Sequence, residues 1–170
     1  FASEMEANDL AMDAVEGDWW QLARFRLNDG CSTISMDGRP VVGKPLCSLN
    51  GGNIGSMRLA VDPHCFVPAT NDHVFMFSAM PVGPSETHVV GKWFVHKDAV
   101  EGVDYDIPTL TDLWTRTNLQ DKELAENNQA GVNSRGYVPG PYSQEAEMLA
   151  QRFTDWYCRT ATAYVDAHGE

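Results

Sequence analysis

The sequence is short of positive charge. Its 170 residues carry 12 lysines and arginines against 24 aspartates and glutamates, a formal net charge of −12. Such a chain repels phosphates, which argues against DNA, RNA or an anionic membrane surface as its main partner. It also lacks any run approaching the roughly 18 consecutive apolar residues that a membrane helix needs. The first eighteen residues are acidic and mixed, unlike a secretory signal. The cysteines Cys31, Cys47, Cys65 and Cys158 form no C-x-x-C pair, and none is followed two residues later by histidine. Zinc-ribbon and iron–sulfur spacings are therefore missing. The four are expected to be reduced, mostly buried thiols of a cytoplasmic protein, with a disulfide in a secreted protein as the alternative. A glycine-rich phosphate loop, a G-x-S-x-G elbow and an H-E-x-x-H helix are absent too.

What is present suits one domain with a real core, since 43% of the residues are hydrophobic. Residues 1–18 carry a weak apolar stripe of Leu10, Ala11, Ala14 and Val15 and are expected to be helical in part. Residues 19–27 read as a strand, followed by the turn signal Asn28-Asp29-Gly30. Residues 31–54, rich in glycine and proline, are expected to form short strands and loops, and residues 55–61 another strand. The clearest β signal is a pair over residues 74–80 and 87–95, joined by the turn 81–86. So short a connection requires antiparallel strands. Apolar residues on both faces suggest a pair covered on both sides. Two helices follow. One begins near Pro108 and repeats Leu110, Leu113, Trp114, Thr117, Asp121, Leu124 and Asn128 at helical spacing. The other is expected to start at Ser143 as N-cap, with Glu145 and Glu147 in its first turn. Its face of Leu149, Phe153, Trp156, Tyr157, Thr160 and Tyr164 needs a broad apolar surface to cover, and the sheet is the candidate. Strands first and long helices last predict an α+β fold.

Asp121 is out of place in this pattern. It shares a helical face with Leu110, Trp114, Thr117 and Leu124, whereas Asp112, Arg116, Lys122, Glu123 and Glu126 lie opposite. A carboxylate among apolar neighbours is costly unless it is paired, hydrogen-bonded or bound to metal. Periodicity alone leaves both a structural carboxylate and a metal ligand open. The histidines do not complete a metal site by themselves. His88 and His96 would lie about 27 Å apart on a continuous strand. His64 and His73 could approach each other with Asp62 or Asp72 nearby, a spacing common by accident. His168 falls in the C-terminal tail.

Two longer segments are more specific. One runs Trp93-Phe94-Val95-His96-Lys97-Asp98-Ala99-Val100-Glu101-Gly102-Val103-Asp104-Tyr105-Asp106. The other joins Leu113-Trp114, Thr117-Asn118-Leu119-Gln120-Asp121 and Asn128-Gln129-Ala130-Gly131-Val132-Asn133-Ser134. It continues through Tyr137-Val138-Pro139-Gly140-Pro141-Tyr142-Ser143 to Phe153-Thr154-Asp155-Trp156-Tyr157. Together they resemble the C-terminal part of the catalytic domain of Rieske-type non-haem iron ring-hydroxylating oxygenase alpha subunits. Within that family the wording is most similar to the demethylases of quaternary amines such as glycine betaine, stachydrine and carnitine. The resemblance is densest over residues 73–157.

The resemblance implies a helix-grip domain, a curved antiparallel sheet packed on a long C-terminal helix. It implies a mononuclear Fe(II) held by two histidines and one carboxylate, with open positions for dioxygen. The carboxylate falls on the Gln120-Asp121 pair, so Asp121 is the expected iron ligand. It further implies a [2Fe–2S] Rieske cluster fed by a reductase, a homotrimer, and hydroxylation of an N-methyl group that leaves as formaldehyde. A permanent cation calls for aromatic faces or carboxylates. The pool is large: Trp19, Trp20, Trp93, Trp114, Trp156, Tyr105, Tyr137, Tyr142, Tyr157 and Tyr164, none singled out.

The family's E-C-x-H-C-x-x-x-x-H-P motif, which carries the two iron histidines, does not occur here, nor do the C-x-H and C-x-x-H pairs of a Rieske domain. With Phe1 as first residue, residues 1–170 are expected to be the C-terminal portion of a longer oxygenase. The alternatives are a Rieske dioxygenase of aromatic rings and a non-catalytic helix-grip module that binds an apolar ligand.

Overall fold

A computed structural model describes residues 13–46, 55–144 and 147–169. Six strands form one antiparallel sheet in the order β1-β2-β3-β4-β5-β6. They are β1 (Asp13–Glu16), β2 (Trp20–Phe25), β3 (Ser56–Val61), β4 (Cys65–Ala69), β5 (His73–Gly83) and β6 (Glu86–Val95). Two helices follow, α1 (Ile107–Val132) and α2 (Met148–His168), so the fold is α+β. The chain divides into two compact units, residues 1–121 and 122–170, with the boundary inside α1.

The pairing register sorts side chains onto two faces because successive strand residues alternate. Ala60 stands opposite Phe66, Phe66 opposite Phe77, and Phe77 opposite Gly91. Phe75 and Trp93 are partners on the same face. That face holds the core. Leu27, Ile34, Phe75, Leu113 and Trp114 form its buried centre, with Cys31, Phe66, Phe77 and Trp93 packed around it. The Phe75 ring lies 4.9 Å from Trp93 and stacks at 4.7 Å on Trp114 from α1. Gly91 makes room for this. A Cβ there would come within 2.9 Å of the Phe75 ring and 3.2 Å of the Trp93 ring.

Residues 31–46 contain no strand and cross the sheet as an irregular lobe. Their backbone polar groups need partners outside regular structure, and Asp72, in the β4–β5 turn, supplies several. Its Oδ2 accepts the Val41 and Val42 N–H groups at 2.8 and 3.1 Å. Its Oδ1 accepts the Thr33 hydroxyl, the Thr70 hydroxyl at 3.2 Å and His73 Nδ1 at 3.0 Å. Thr33, Thr70, Asp72 and His73 are all buried. A second carboxylate holds the far end of the lobe. Asp104 Oδ2 accepts Lys44 Nζ at 2.9 Å and the Val100 N–H at 2.8 Å, while its carbonyl accepts the Gly43 N–H at 2.8 Å. The Lys44 bond is the main reason that Asp104 titrates below the usual carboxylate range.

Several expectations need correction. Ala14 and Val15 belong to strand β1 rather than a helix, because they pair with Ala23 and Leu22. Leu10 and Ala11 lie outside the described residues, as do Cys47 and Glu145. The described part of residues 31–54 forms no short strands. Within the first unit the β5–β6 pair is not covered on both sides: Glu86 to Lys92 is exposed throughout, and Met80 and Val89 are about half exposed. Helix α2 begins at Met148 with Glu147 as its cap, not at Ser143, although the Glu147 carboxylate reaches back to the Ser143 N–H at 2.7 Å. Within the second unit, the α2 residues Phe153, Tyr157 and Tyr164 are exposed. Cys31, Cys65 and Cys158 are free thiols; the first two are half-buried and Cys158 is exposed.

Two stability tests follow from this packing. Burial pushes the Asp72 carboxyl upward, but the His73 ring and the Thr33 and Val41 donors outweigh it and hold the pKa at about 2 against 3.8 in a free side chain. The carboxylate therefore stabilises the fold above about pH 4, by about 2 kcal/mol. That contribution is lost as the pH falls through 3.8 towards 2. Asp72→Ala should lower stability by about 3 kcal/mol or more in urea unfolding at pH 7, because it strands buried donors. The wild-type advantage should shrink below pH 4. Gly91→Val should cost about 1–3 kcal/mol through overpacking against Phe75 and Trp93; an unchanged urea midpoint would contradict the packing described.

Candidate functional site

Helix α1 starts where Asp106 caps it: the Thr109 N–H donates to Asp106 Oδ1 at 2.9 Å, which also lowers the Asp106 pKa. Pro108 then occupies the first turn, where a missing N–H costs nothing. Leu110, Leu113 and Trp114 are the buried residues of the helix and fix its first turns to the sheet. Thr117 and Asn118 are half-buried, and Asn118 Nδ2 donates to the Trp114 carbonyl at 2.7 Å. Asp121 comes seven residues after Trp114 on the same face, about 10 Å further along the axis. There the carboxylate is exposed, and Leu124 beyond it is 69% exposed. This corrects the expectation that Asp121 lies among buried apolar neighbours. The apolar face ends at Trp114, and the helix carries Asp121 past it.

The other titratable groups do not join Asp121. His73 and Asp72 do come together, but His73 Nδ1 is engaged by Asp72 in the lobe anchor. His88 pairs with Glu86 at 2.9 Å on the exposed edge of the sheet. His96 Nδ1 accepts the Asp98 N–H at 3.2 Å, and the His168 ring stacks 4.4 Å from Tyr164. Among the described residues, no three His, Cys, Asp or Glu side chains are grouped so that they could hold a metal ion. A two-histidine, one-carboxylate iron site requires three donors, and Asp121 alone would supply one. The described residues therefore do not make that site by themselves. Nor do they include any helix long and apolar enough to cross a membrane.

Of the aromatic pool, Trp93 and Trp114 serve the core, and the Tyr142 hydroxyl bonds to Thr154 Oγ1 at 2.8 Å. A groove of about 490 Å³ runs between the lobe and the first turns of α1, lined in part by Ser35, Met36, Asp37, Asp112 and Arg116. The sequence reading had no signal for it, since its two walls lie about seventy residues apart in the chain.

Residues 49–163 match the ring-hydroxylating alpha subunit catalytic domain, and the chain belongs to that family. Among individual relatives, it is 44% identical over 137 residues to the glycine betaine monooxygenase oxygenase subunit of Pseudomonas aeruginosa, in strains UCBPP-PA14 and PAO1. It is 40% identical over 147 residues to the subunit of the same name from Chromohalobacter salexigens. These alignments cover 81% and 86% of the chain but 32% and 33% of the relatives. The chain thus spans about a third of the length of the curated relatives it matches.

Because Asp121 is exposed, Asp121→Ala should leave folding stability within about 0.5 kcal/mol of the parent in urea unfolding. A larger loss would mean that the carboxylate has a structural partner.

Proposed function

We propose that this chain is the C-terminal portion of the catalytic domain of a Rieske-type monooxygenase that oxidatively demethylates a quaternary amine. The observation that carries the reading is the 40–44% identity, over more than four-fifths of the chain, to subunits named for glycine betaine monooxygenase. Those names favour an N-methyl substrate over an aromatic ring. Family membership favours an enzyme over a non-catalytic binding module.

In this reading Asp121 supplies the carboxylate ligand of a mononuclear Fe(II), and the two histidine ligands come from sequence outside these 170 residues. The iron, when bound, supplies dioxygen activation, with electrons delivered by a reductase through a [2Fe–2S] cluster that also lies outside this chain. The chain's own contribution is positional. Stacking of Trp114 on Phe75 fixes the first turns of α1, and the helix presents Asp121 with a set direction and depth. The helix-grip fold of the complete subunit belongs to the same reading. The oxygenase is proposed to act as a homotrimer. N-methyl hydroxylation makes a carbinolamine that breaks its C–N bond, releasing formaldehyde and the demethylated amine.

The test uses the intact oxygenase with its reductase. Formaldehyde should form from glycine betaine or a related quaternary amine, one per dioxygen consumed. Asp121→Ala should abolish this and lower the content of mononuclear iron while the far-ultraviolet circular dichroism is kept. Full iron occupancy in that variant would remove Asp121 from the site.

A further inference from the structure

Helix α1 is rooted over a short length. Its buried residues Leu110, Leu113 and Trp114 span about 6 Å of axis. Between Thr115 and Asp121 no residue is buried. The groove of about 490 Å³ separates Pro108, Asp112 and Arg116 from Met36 and Val41 of the lobe, so on that side the first turns have room to tilt. A rod held over one short stretch pivots there. Taking Asp112 as the pivot, Asp106 lies about 9 Å to one side along the axis and Asp121 about 14 Å to the other. Moving the helix start by about 1 Å would swing Asp121 by about 1.5 Å the opposite way.

The start of the helix is held by the clamp ahead of it. Residues 96–106 join β6 to α1 and fold around Asp104. The Asp104 N–H donates to the Val100 carbonyl at 2.8 Å, and Asp104 Oδ2 accepts the Val100 N–H at 2.8 Å. From the lobe, Lys44 Nζ donates to Asp104 Oδ2 at 2.9 Å and to the Asp98 carbonyl at 2.6 Å, and the Gly43 N–H donates to the Asp104 carbonyl at 2.8 Å. The Asp104 side chain is only 15% exposed, which protects the ion pair from full solvent screening. Tyr105 alone separates Asp104 from Asp106, the cap of α1, and the Tyr105 carbonyl is itself taken by the Gly102 N–H at 2.8 Å. The link from clamp to helix is therefore short and tied down. The other end of the lobe is held by Asp72, so the clamp fastens the helix to a fixed point. Two separated points define a direction that one short root does not.

We infer that Lys44 and Asp104 are a positioning pair for Asp121: they set the tilt of α1 about its buried root, and thereby the place at which the carboxylate ligand is presented. This rests on the proposed demethylase reading and adds to it the residues that aim the ligand. The pair acts through the helix, so its loss falls on iron retention and turnover more than on substrate affinity. A misplacement of about 1 Å can cost a reaction about 100-fold in rate.

The experiment uses the intact oxygenase with its reductase and takes three readouts: hydrogen exchange of the amides of residues 107–121, mononuclear iron affinity by chelator competition, and formaldehyde kinetics per bound iron. Lys44→Met keeps the alkyl stem and removes the cation. It should speed exchange over residues 107–121 and weaken iron affinity about 10-fold, as for loss of a group that orients a metal ligand. It should lower kcat per iron while KM for glycine betaine stays within about twofold. Lys44→Arg restores the cation and should recover most of each loss. Arg116→Met breaks the Asp112–Arg116 pair, which lies wholly within α1, and should match the parent; an equal loss there overturns the inference. A lower urea midpoint for Lys44→Met with parental iron affinity and kcat makes the pair merely structural and also overturns it, as does parental behaviour throughout. In those cases formaldehyde formation by the parent leaves the demethylase reading standing. If the parent holds no mononuclear iron and forms no formaldehyde from any quaternary amine, that reading falls and this inference with it. Should Lys44→Met fail to fold, Asp104→Asn decides, since it keeps an oxygen for the Val100 N–H and drops the charge; parental iron affinity in that variant overturns the inference.

Discussion

The buried carboxylate of Asp72 is the constraint on which the rest of this structure hangs. Residues 31–46 have no ladder of their own, yet Ile34 and Val42 lie buried within them. An irregular segment can stay over an apolar face only if its N–H and hydroxyl groups find acceptors there. One carboxylate meets much of that demand, taking two N–H groups, two hydroxyls and a ring nitrogen from both sides of the crossing. With Asp104 clamping the other end through Lys44 and Gly43, the lobe is fixed at two points. Ile34 and Cys31 then close the core on Phe75.

From that core a rigid line leads outward. The absent side chain of Gly91 lets Phe75 approach β6, Phe75 stacks on Trp114, and Trp114 fixes the register of α1. A helix held at three buried residues transmits that position along its axis, because its hydrogen bonds resist local bending. Asp121 thus inherits its position from packing about 10 Å away. Positioning a reactive group on a helix rooted in a core gives tighter geometry than positioning it on a loop.

Much of this architecture was legible in the sequence where its cause is local. The β5–β6 hairpin follows from two apolar runs with proline and glycine between them, although β5 runs on to Gly83 and the turn is only Pro84-Ser85 rather than 81–86; α1 follows from the spacing of Leu110, Leu113 and Trp114. Strand β4 escaped notice because it is five residues long and contains Pro68, which argues against a strand. Strand β1 was read as helix because Ala14 and Val15 suit either period in so short a stretch. The Asp72 anchor had no local signature at all. Its donors Thr33 and Val41 lie 39 and 31 residues away, and only the completed fold joins them.

The two aspartates Asp72 and Asp121 show why such sites resist reading from pattern. Periodicity marked Asp121 as the costly carboxylate, whereas Asp72 entered only as a neighbour of the His64 and His73 pair. The structure reverses the energetics. Asp72 is 3% exposed and is held by the fold, so its identity answers to stability. Asp121 is exposed, and the fold gains little from its charge there. A carboxylate that folding does not require, at a position that folding fixes closely, is free to be set by chemistry alone. The family resemblance and the helix pattern converged on Asp121, but for different reasons. The pattern pointed to burial, which is absent. The resemblance pointed to a ligand, a role that an exposed and rigidly presented carboxylate can fill when the rest of its donor set is brought to it.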